Sequence, residues 1–530
     1  MAQYSLINPI IRLDYPDPDV IRVEDTYYMV STTMHFMPGG EILQSYDLQN
    51  WEHISYVYES LDSTPAQRLE KGDIYGKGMW AASLRYHQGI FYVCFVANDT
   101  HKTYLYTAED IRGPWAKHNM EGLYHDCSLL FDDDGRIYIA YGNKDIYITE
   151  LRQDLSGPLE GGFHRLVVSD EGNPYLGYEG THFYKINGKY YLFFIHSRRD
   201  CWRRTESCFM ADSLSGEFIG GDVLDDDRGY CGQGVAQGGI VDTPEGKWFA
   251  VLFQDSGAVG RIPILLPVTW EKDYPVFGEG GKVPDCFRID STRPGYVYSP
   301  LVQSDDFRGE WKYCWQFNHE PDLSLVRQDR NRGIWQVTTD KLCRNLTQAK
   351  NTITQRMEYP DCAAEVTLDG GGLKEGDFAG LCALQGCYGF VGLTRRKGCL
   401  FLVVRTWKAE DSSVSPVNGK GNQEECEVVQ IVGETVRLRL EVDFTEMEDT
   451  ASFYYYAGDV SCSDLEAGGK RTGEGMDSDS YWKKAGTCHK LHFKLDHFTG
   501  CRFGLVVYST EVAGGYAQFS NFLYCHRNQE

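Results

Sequence analysis

The chain has 530 residues, more than one ordinary core accommodates, so two or three domains are expected. Its net charge of −24 speaks against a nucleic-acid partner, because such binding rests on Lys and Arg neutralising phosphates. No apolar run approaches the roughly 20 residues of a membrane helix, so no membrane partner is expected.

The start, Met1-Ala2-Gln3-Tyr4-Ser5-Leu6, lacks a basic region followed by an apolar core. A cytoplasmic location is the expectation. The 17 cysteines are scattered, without zinc spacing. Many fall inside strand-like runs (Cys94, Cys382, Cys399) and read as buried thiols in a reducing compartment.

Five hairpins follow in chain order. Asp19–Val23 leads through Glu24-Asp25 to Tyr27-Tyr28-Met29-Val30. Ala82-Ser83-Leu84-Arg85-Tyr86 leads through Gln88-Gly89 to Phe91-Tyr92-Val93-Cys94-Phe95. Ser128–Phe131 leads through Asp134-Gly135 to Ile137-Tyr138-Ile139-Ala140. Thr181-His182-Phe183-Tyr184-Lys185 leads through Asn187-Gly188 to Tyr190-Tyr191-Leu192-Phe193-Phe194. Gly239-Ile240-Val241-Asp242 leads through Glu245-Gly246 to Trp248-Phe249-Ala250-Val251-Leu252. The anchor aromatics Tyr28, Tyr92, Tyr138, Tyr191 and Phe249 lie 64, 46, 53 and 58 residues apart, the size of a four-stranded propeller blade with its loops. Five blades filling residues 1–300 are predicted.

A second regularity points to a site. Twelve residues before the anchors of repeats two to five stand Trp80, Asp126, Glu179 and Gln237, and eleven before Tyr28 stands Asp17. Equivalent positions of a repeat converge on one axis, so Asp17, Asp126 and Glu179 are expected together. An ordinary β-sandwich does not predict this offset. The run Asp132-Asp133-Asp134 falls at a hairpin turn and reads as solvated acids rather than a metal site.

Residues 284–300 hold Pro284, Pro294, Gly295 and Pro300 and read as a linker. Alternating strands then recur, as in Val436-Arg437-Leu438-Arg439-Leu440-Glu441-Val442, with Gly-rich turns such as Gly370-Gly371-Gly372. An antiparallel β-sandwich over residues 301–530 is predicted. Ser461 to Ser480 reads as a long exposed loop. The fold class is therefore all-β.

Converging carboxylates suit glycoside hydrolysis, where one acid protonates the leaving oxygen and another carboxylate activates water or attacks the sugar. A third can raise the acid's pKa. Calcium or magnesium binding is the competing use. Trp80 offers an apolar face to a sugar ring, and His35 and Phe36 are candidate pocket residues.

The motifs Pro16-Asp17-Pro18-Asp19, His125-Asp126-Cys127-Ser128 and Glu179-Gly180-Thr181-His182, with Met79-Trp80-Ala81-Ala82-Ser83, resemble those of glycoside hydrolase family 43. Trp315-Gln316-Phe317-Asn318-His319 and Gly376-Asp377-Phe378-Ala379-Gly380-Leu381 resemble the concanavalin-like module of its β-xylosidase and α-L-arabinofuranosidase members. The resemblance implies a five-bladed propeller and inverting, exo-acting hydrolysis. It makes Asp17 the general base, Glu179 the general acid and Asp126 the residue that orients Glu179 and raises its pKa. Arg261 resembles the family arginine at substrate. Many members carry a His facing a central metal or water where this chain has Gln237, so a structural calcium there is one expectation; the chemistry itself needs no cofactor.

The expected substrates are arabinoxylan or its oligosaccharides, shortened by terminal α-L-arabinofuranosyl and/or β-D-xylosyl residues. Residues 34–40 depart from the segment typical of dedicated xylosidases, which favours arabinose. The alternative is a non-catalytic carbohydrate-binding propeller, which would not turn over a nitrophenyl pentoside. The sequence carries no sign of oligomeric state.

Overall fold

The computed structural model describes residues 7–409, 421–458, 481–492 and 499–526; the loop read at Ser461 to Ser480 lies outside them. The chain forms two compact units, residues 1–61 with 74–301, and residues 62–73 with 302–530. Residues 62–73, within the 1–300 span read as propeller, thus group with the second unit. Among the described residues the regular structure is strands and short 3-10 turns, and no helix is long and apolar enough to cross a membrane.

The first unit is a five-bladed β-propeller. Its blades are four-stranded antiparallel sheets whose strands follow one another in chain order. The innermost strands are Asp19–Val23, Met79–His87, Ser128–Phe131, Glu179–Ile186 and Val235–Asp242. Each pairs with the aromatic-rich strand that follows its turn. In blades two and four both turn residues are left-handed, with φ of 50° and 84° at Gln88-Gly89 and 50° and 80° at Asn187-Gly188. That is the type I′ geometry whose twist matches a hairpin.

The core lies between neighbouring blades. Leu129 and Ile139 of blade three pack with Cys94 and Leu105 of blade two. Tyr138 and Phe183 join blades three and four, and Phe193, Leu252 and Phe277 join four and five. Full burial of one such side chain is worth about 1.5–3 kcal/mol, so the ring is held by its apolar seams. Polar ties add register. Arg22 of blade one pairs with Asp242 of blade five at 2.6 Å. The segment before blade one lies along blade five's third strand, Arg261–Glu271, where the Tyr15 N–H donates to the Arg261 carbonyl at 2.9 Å and the Leu265 N–H donates to Asn8 Oδ1 at 2.8 Å.

Two expectations need correction. Asp132 is buried, not solvated: it accepts from Tyr190 Oη at 2.6 Å and pairs with Lys185, tying blade three to blade four. Cys94 and Cys382 are buried, but Cys399, first in its strand, is exposed; every described cysteine is a free thiol.

The second unit is an antiparallel β-sandwich. One sheet orders Val326–Asp329, Ile334–Thr338, Tyr516–His526, Asp361–Asp369, Thr435–Asp443, Thr450–Tyr456 and Lys483–Lys490. The other contains Gln316–Asn318, Ile353–Arg356, Arg502–Ser509, Asp377–Leu384, Gly389–Arg396, Cys399–Ala409 and Gly421–Gln430 in spatial order. Thr435–Asp443 buries every second residue, as its alternating sequence requires.

Candidate active site

The repeated offset has a backbone cause. The inner strands of blades two, four and five each carry a β-bulge near their start, between Met79 and Ala82, Glu179 and His182, and Ala236 and Gly239. A bulge adds one residue and re-aims the side chains beside it. Asp17, Asp126 and Gln237 adopt left-handed φ of 51°, 47° and 57°. Such a conformation costs a non-glycine residue about 1–2 kcal/mol, so the surrounding fold must hold it. In blade four the left-handed residue is Gly180, at 66°, and a Cβ there would stand 2.6 Å from the Gln237 side chain.

Asp17 is buried between its two prolines and held at both oxygens. Arg261 Nη1 donates to Oδ1 at 3.0 Å and Thr32 Oγ1 donates to Oδ2 at 2.8 Å. Glu179 is half-buried, and Asn143 Nδ2 donates to its Oε2 at 2.6 Å. Asp126 is buried. His125 Nε2 stands 3.7 Å from Asp126 Oδ2 and 3.7 Å from Glu179 Oε2. Burial, with the charges of Glu179 and Asp17, pushes Asp126 up to about 7 against the pull of His125. Burial works against a charge on His125, yet Asp126 and Glu179 outweigh it and push the imidazole up to about 9. Near neutrality the cluster therefore combines an imidazolium with an Asp126 carboxyl that retains part of a proton.

Behind these groups lies a cationic layer. Arg261 and Arg204 open the third strands of blades five and four, and both guanidinium groups reach Asp255, with Arg261 Nε at 3.5 Å from it. Both lie over the Phe253 ring, at 4.9 and 5.7 Å. The Arg261 N–H donates to Asp14 Oδ1 at 2.7 Å. Arg204, Asn143, Thr32 and Asp255 escaped the sequence reading, because the repeated offset reaches only the starts of inner strands. Counting forward five or six residues from the anchors of blades three to five reaches Asn143, Ser197 and Asp255, the last residues of the second strands.

The sequence profile of glycosyl hydrolases family 43 matches residues 6–275, and that of the β-xylosidase C-terminal concanavalin A-like domain matches residues 304–525. The chain belongs to glycoside hydrolase family 43. It resembles a β-xylosidase of Formosa agariphila, 26% identical over 73% of this chain and 74% of that protein. It resembles the xylosidase/arabinosidase 43B of Humicola insolens, 25% identical over 98% and 97% of the two chains. A solved structure described as a bifunctional GH43-CE protein of Bacteroides eggerthii superposes with a TM-score of 0.87 at 38% identity, covering 100% of this chain and 64% of that one. This chain thus spans less than two thirds of that protein, and nothing of the remainder carries over.

The family 43 assignment makes the chain a glycoside hydrolase and sets aside the non-catalytic reading. Of the other residues singled out, Trp80 is half-buried at the bulge of blade two, its ring edge-on to His125 at 5.4 Å. His35 and Phe36 are buried ring against ring at 4.2 Å, and His35 meets Tyr75 at 4.7 Å, so neither offers open surface in this arrangement. Gln237 is buried, and its N–H donates to Glu206 Oε2 at 2.7 Å. Burial pushes Glu206 well above the carboxylate range.

Metal fit differs between two places. Two residues along the strand from Gln237, a Cβ on Gly239 would stand 3.3 Å from Asp19, whose carboxylate receives Arg85 Nη1 at 2.8 Å and stands 3.1 Å from His182 Nδ1. A fixed guanidinium pairs with Asp19 and burial favours the neutral form of Glu206, so this donor set does not fit the calcium expected at Gln237. His125, Asp126 and Glu179 offer ligand atoms within 4.8 Å of one another and could hold a metal, at the expense of the oxygens available for proton transfer. Family 43 hydrolysis needs no cofactor.

Proposed function

We propose that this family 43 enzyme is an inverting exo-glycosidase that removes terminal α-L-arabinofuranosyl and/or β-D-xylosyl residues from arabinoxylan or its oligosaccharides. The observation that carries this reading is the division of labour among three carboxyl groups. Asp17 is fixed at both oxygens by Arg261 and Thr32, while Asp126 and Glu179 flank one imidazole.

Asp17 is the general base. It takes a proton from a water whose oxygen attacks the anomeric carbon, and the glycosidic C–O bond breaks on the opposite face. Glu179 is the general acid and gives its proton to the leaving oxygen. Burial and the neighbouring carboxylates push Asp126 up to about 7, so a proton is held beside Glu179 close to neutrality. Catalysis requires that proton on Glu179 when sugar is bound, and Asp126 keeps it from being lost to solvent. Asn143 aims the Glu179 carboxyl. Trp80 and Arg261 contact the sugar, and His35 and Phe36 back the pocket wall.

The resemblance to the Formosa and Humicola proteins, a β-xylosidase and a xylosidase/arabinosidase, supports a pentose substrate. The arabinose preference rests on residues 34–40 alone. Product analysis on arabinoxylan oligosaccharides of known branching, with proton NMR of the first anomer released, tests the reading. Release of arabinose or xylose with inverted configuration supports it, and a retained anomer refutes Asp17 as a base.

A further inference from the structure

The loop joining the second and third strands of blade four, residues 198–203, leaves its sheet on the edge where Glu179 enters. Glu179 pairs with Ile195, and Ser197 with Arg204. This loop carries Trp202, 48% exposed, and opposite it stands Tyr175, 40% exposed. Their rings meet at 6.1 Å and 82°. A single exposed aromatic residue needs no account, but two set edge to face beside a catalytic mouth form a patch.

Both loops are fixed. The Tyr175 N–H donates to Asn173 Oδ1 at 3.0 Å, and Asn173 Nδ2 donates to the Ser197 carbonyl at 2.9 Å. The Ser197 N–H donates to the Leu176 carbonyl, and the Arg198 N–H to the Arg203 carbonyl, each at 2.9 Å. Arg198 pairs with Asp200 at 2.9 Å and Asp225 at 2.7 Å. The rings are therefore presented in advance, so little ordering cost remains for a ligand. They are also close to the chemistry. Leu176, next to Tyr175, packs with Ile195, Ala236 and Phe253, and Phe253 underlies Arg204 and Arg261. The four residues from Tyr175 to Glu179 span at most about 14 Å.

We propose that Tyr175 and Trp202 form a saccharide subsite for the main chain on the leaving-group side of the scissile bond. The proposal rests on the exo-pentosidase reading above. The terminal sugar lies at the channel axis, so a rim surface meets what remains of the chain. Aromatic faces suit the C–H faces of a pyranose ring, and the neighbouring Arg199 and Asp200 side chains, 59% and 67% exposed, suit its hydroxyls.

The test compares kcat/KM on a nitrophenyl pentoside, which has no main chain, with kcat/KM on an arabinoxylan oligosaccharide. Trp202→Ala should lower the oligosaccharide-to-pentoside ratio about tenfold, chiefly through KM, and Trp202→Phe should recover much of it. An unchanged ratio, including equal loss on both substrates, overturns the proposal. Calorimetric titration of the same oligosaccharide into Asp17→Asn protein, with and without Trp202→Ala, reads the subsite independently of turnover. A Kd about tenfold weaker in the double variant supports the subsite; an unchanged Kd overturns it. If the wild type releases neither pentose while the titration responds as expected, the exo-pentosidase reading fails and the saccharide site stands.

Discussion

Replacing His125 by Gln removes the cation placed between the carboxyl groups of Asp126 and Glu179. Its Nε2 stands 3.7 Å from an oxygen of each. At that distance two unit charges attract by about 1 kcal/mol in bulk water and about 4 kcal/mol at protein-surface screening. The Glu179 side chain is 21% exposed and that of Asp126 8%, so the interaction falls between those limits. One pKa unit corresponds to about 1.4 kcal/mol, so loss of the imidazolium should raise the proton affinity of the pair by about one to three units. The sign follows from the chemistry. His125, pushed up to about 9, is charged across the neutral range and favours ionised carboxyls. Without it the cluster around Asp126 keeps its proton to higher pH, and the alkaline limb of kcat/KM moves upward. The assay is a pH–rate profile on an unactivated pentose disaccharide, whose leaving group needs protonation. An unmoved limb, or one displaced downward, would refute the electrostatic account of the cluster.

Asp17→Asn should abolish hydrolysis while leaving oligosaccharide binding measurable by calorimetry, because the amide cannot accept the water's proton. Glu179→Gln should lose about 10²–10⁴-fold on a natural glycoside and far less on one with an acidic leaving group; equal losses would point to a structural role. Chelator treatment should leave turnover intact, and added zinc should inhibit by occupying His125, Asp126 and Glu179; equal inhibition of a His125→Gln variant and the wild type would place the zinc elsewhere. Asp126→Asn should raise the melting temperature above neutral pH. The folded-state value of about 7 exceeds the ordinary 3.8, so the native state binds the extra proton between those values and loses stability as pH rises through that window. Removing the charge should restore on the order of 4 kcal/mol, and an unchanged melting temperature would contradict the burial cost.

The fold was legible because a propeller repeats its hairpins, and a hairpin writes its turn and its aromatic strand into adjacent residues. Ser128–Phe131 and Asp19–Val23 have the limits read from sequence. The convergence of Asp17, Asp126 and Glu179 was legible because each stands at the start of an inner strand, at a nearly fixed distance from the next strand's aromatic residue. What escaped sits across variable loops. Arg204 opens a third strand after the six-residue loop 198–203, and no constant offset links it to an anchor. His125 was visible as a histidine, but its place midway between two carboxylates depends on bulges and left-handed turns that the sequence does not announce. The pairing of Arg85 with Asp19, which bears on the calcium expected at Gln237, was hidden for a similar reason: from sequence Arg85 looks like an ordinary strand residue.

The site's composition also explains why its backbone is strained. Three carboxyl groups and two arginines brought together from different blades would be solvated separately in an unfolded chain, and their assembly opposes folding through desolvation. Left-handed conformations at Asp17 and Asp126 add to that cost. The opposing stability comes from elsewhere, in the aromatic seams between blades and in the ladders below the bulges. This division makes a distinct expectation for substitutions. A seam residue such as Phe193 or Leu252, buried between blades four and five, should lower stability by about 2–5 kcal/mol when cut to Ala. Its active fraction should retain a wild-type pH–rate profile. A site residue such as Asp126 should do the reverse, holding or raising stability while changing the profile. Were the seam variants to shift the pH limbs as His125→Gln does, the charged cluster would depend on global packing rather than on its own bulges, bridges and hydrogen bonds.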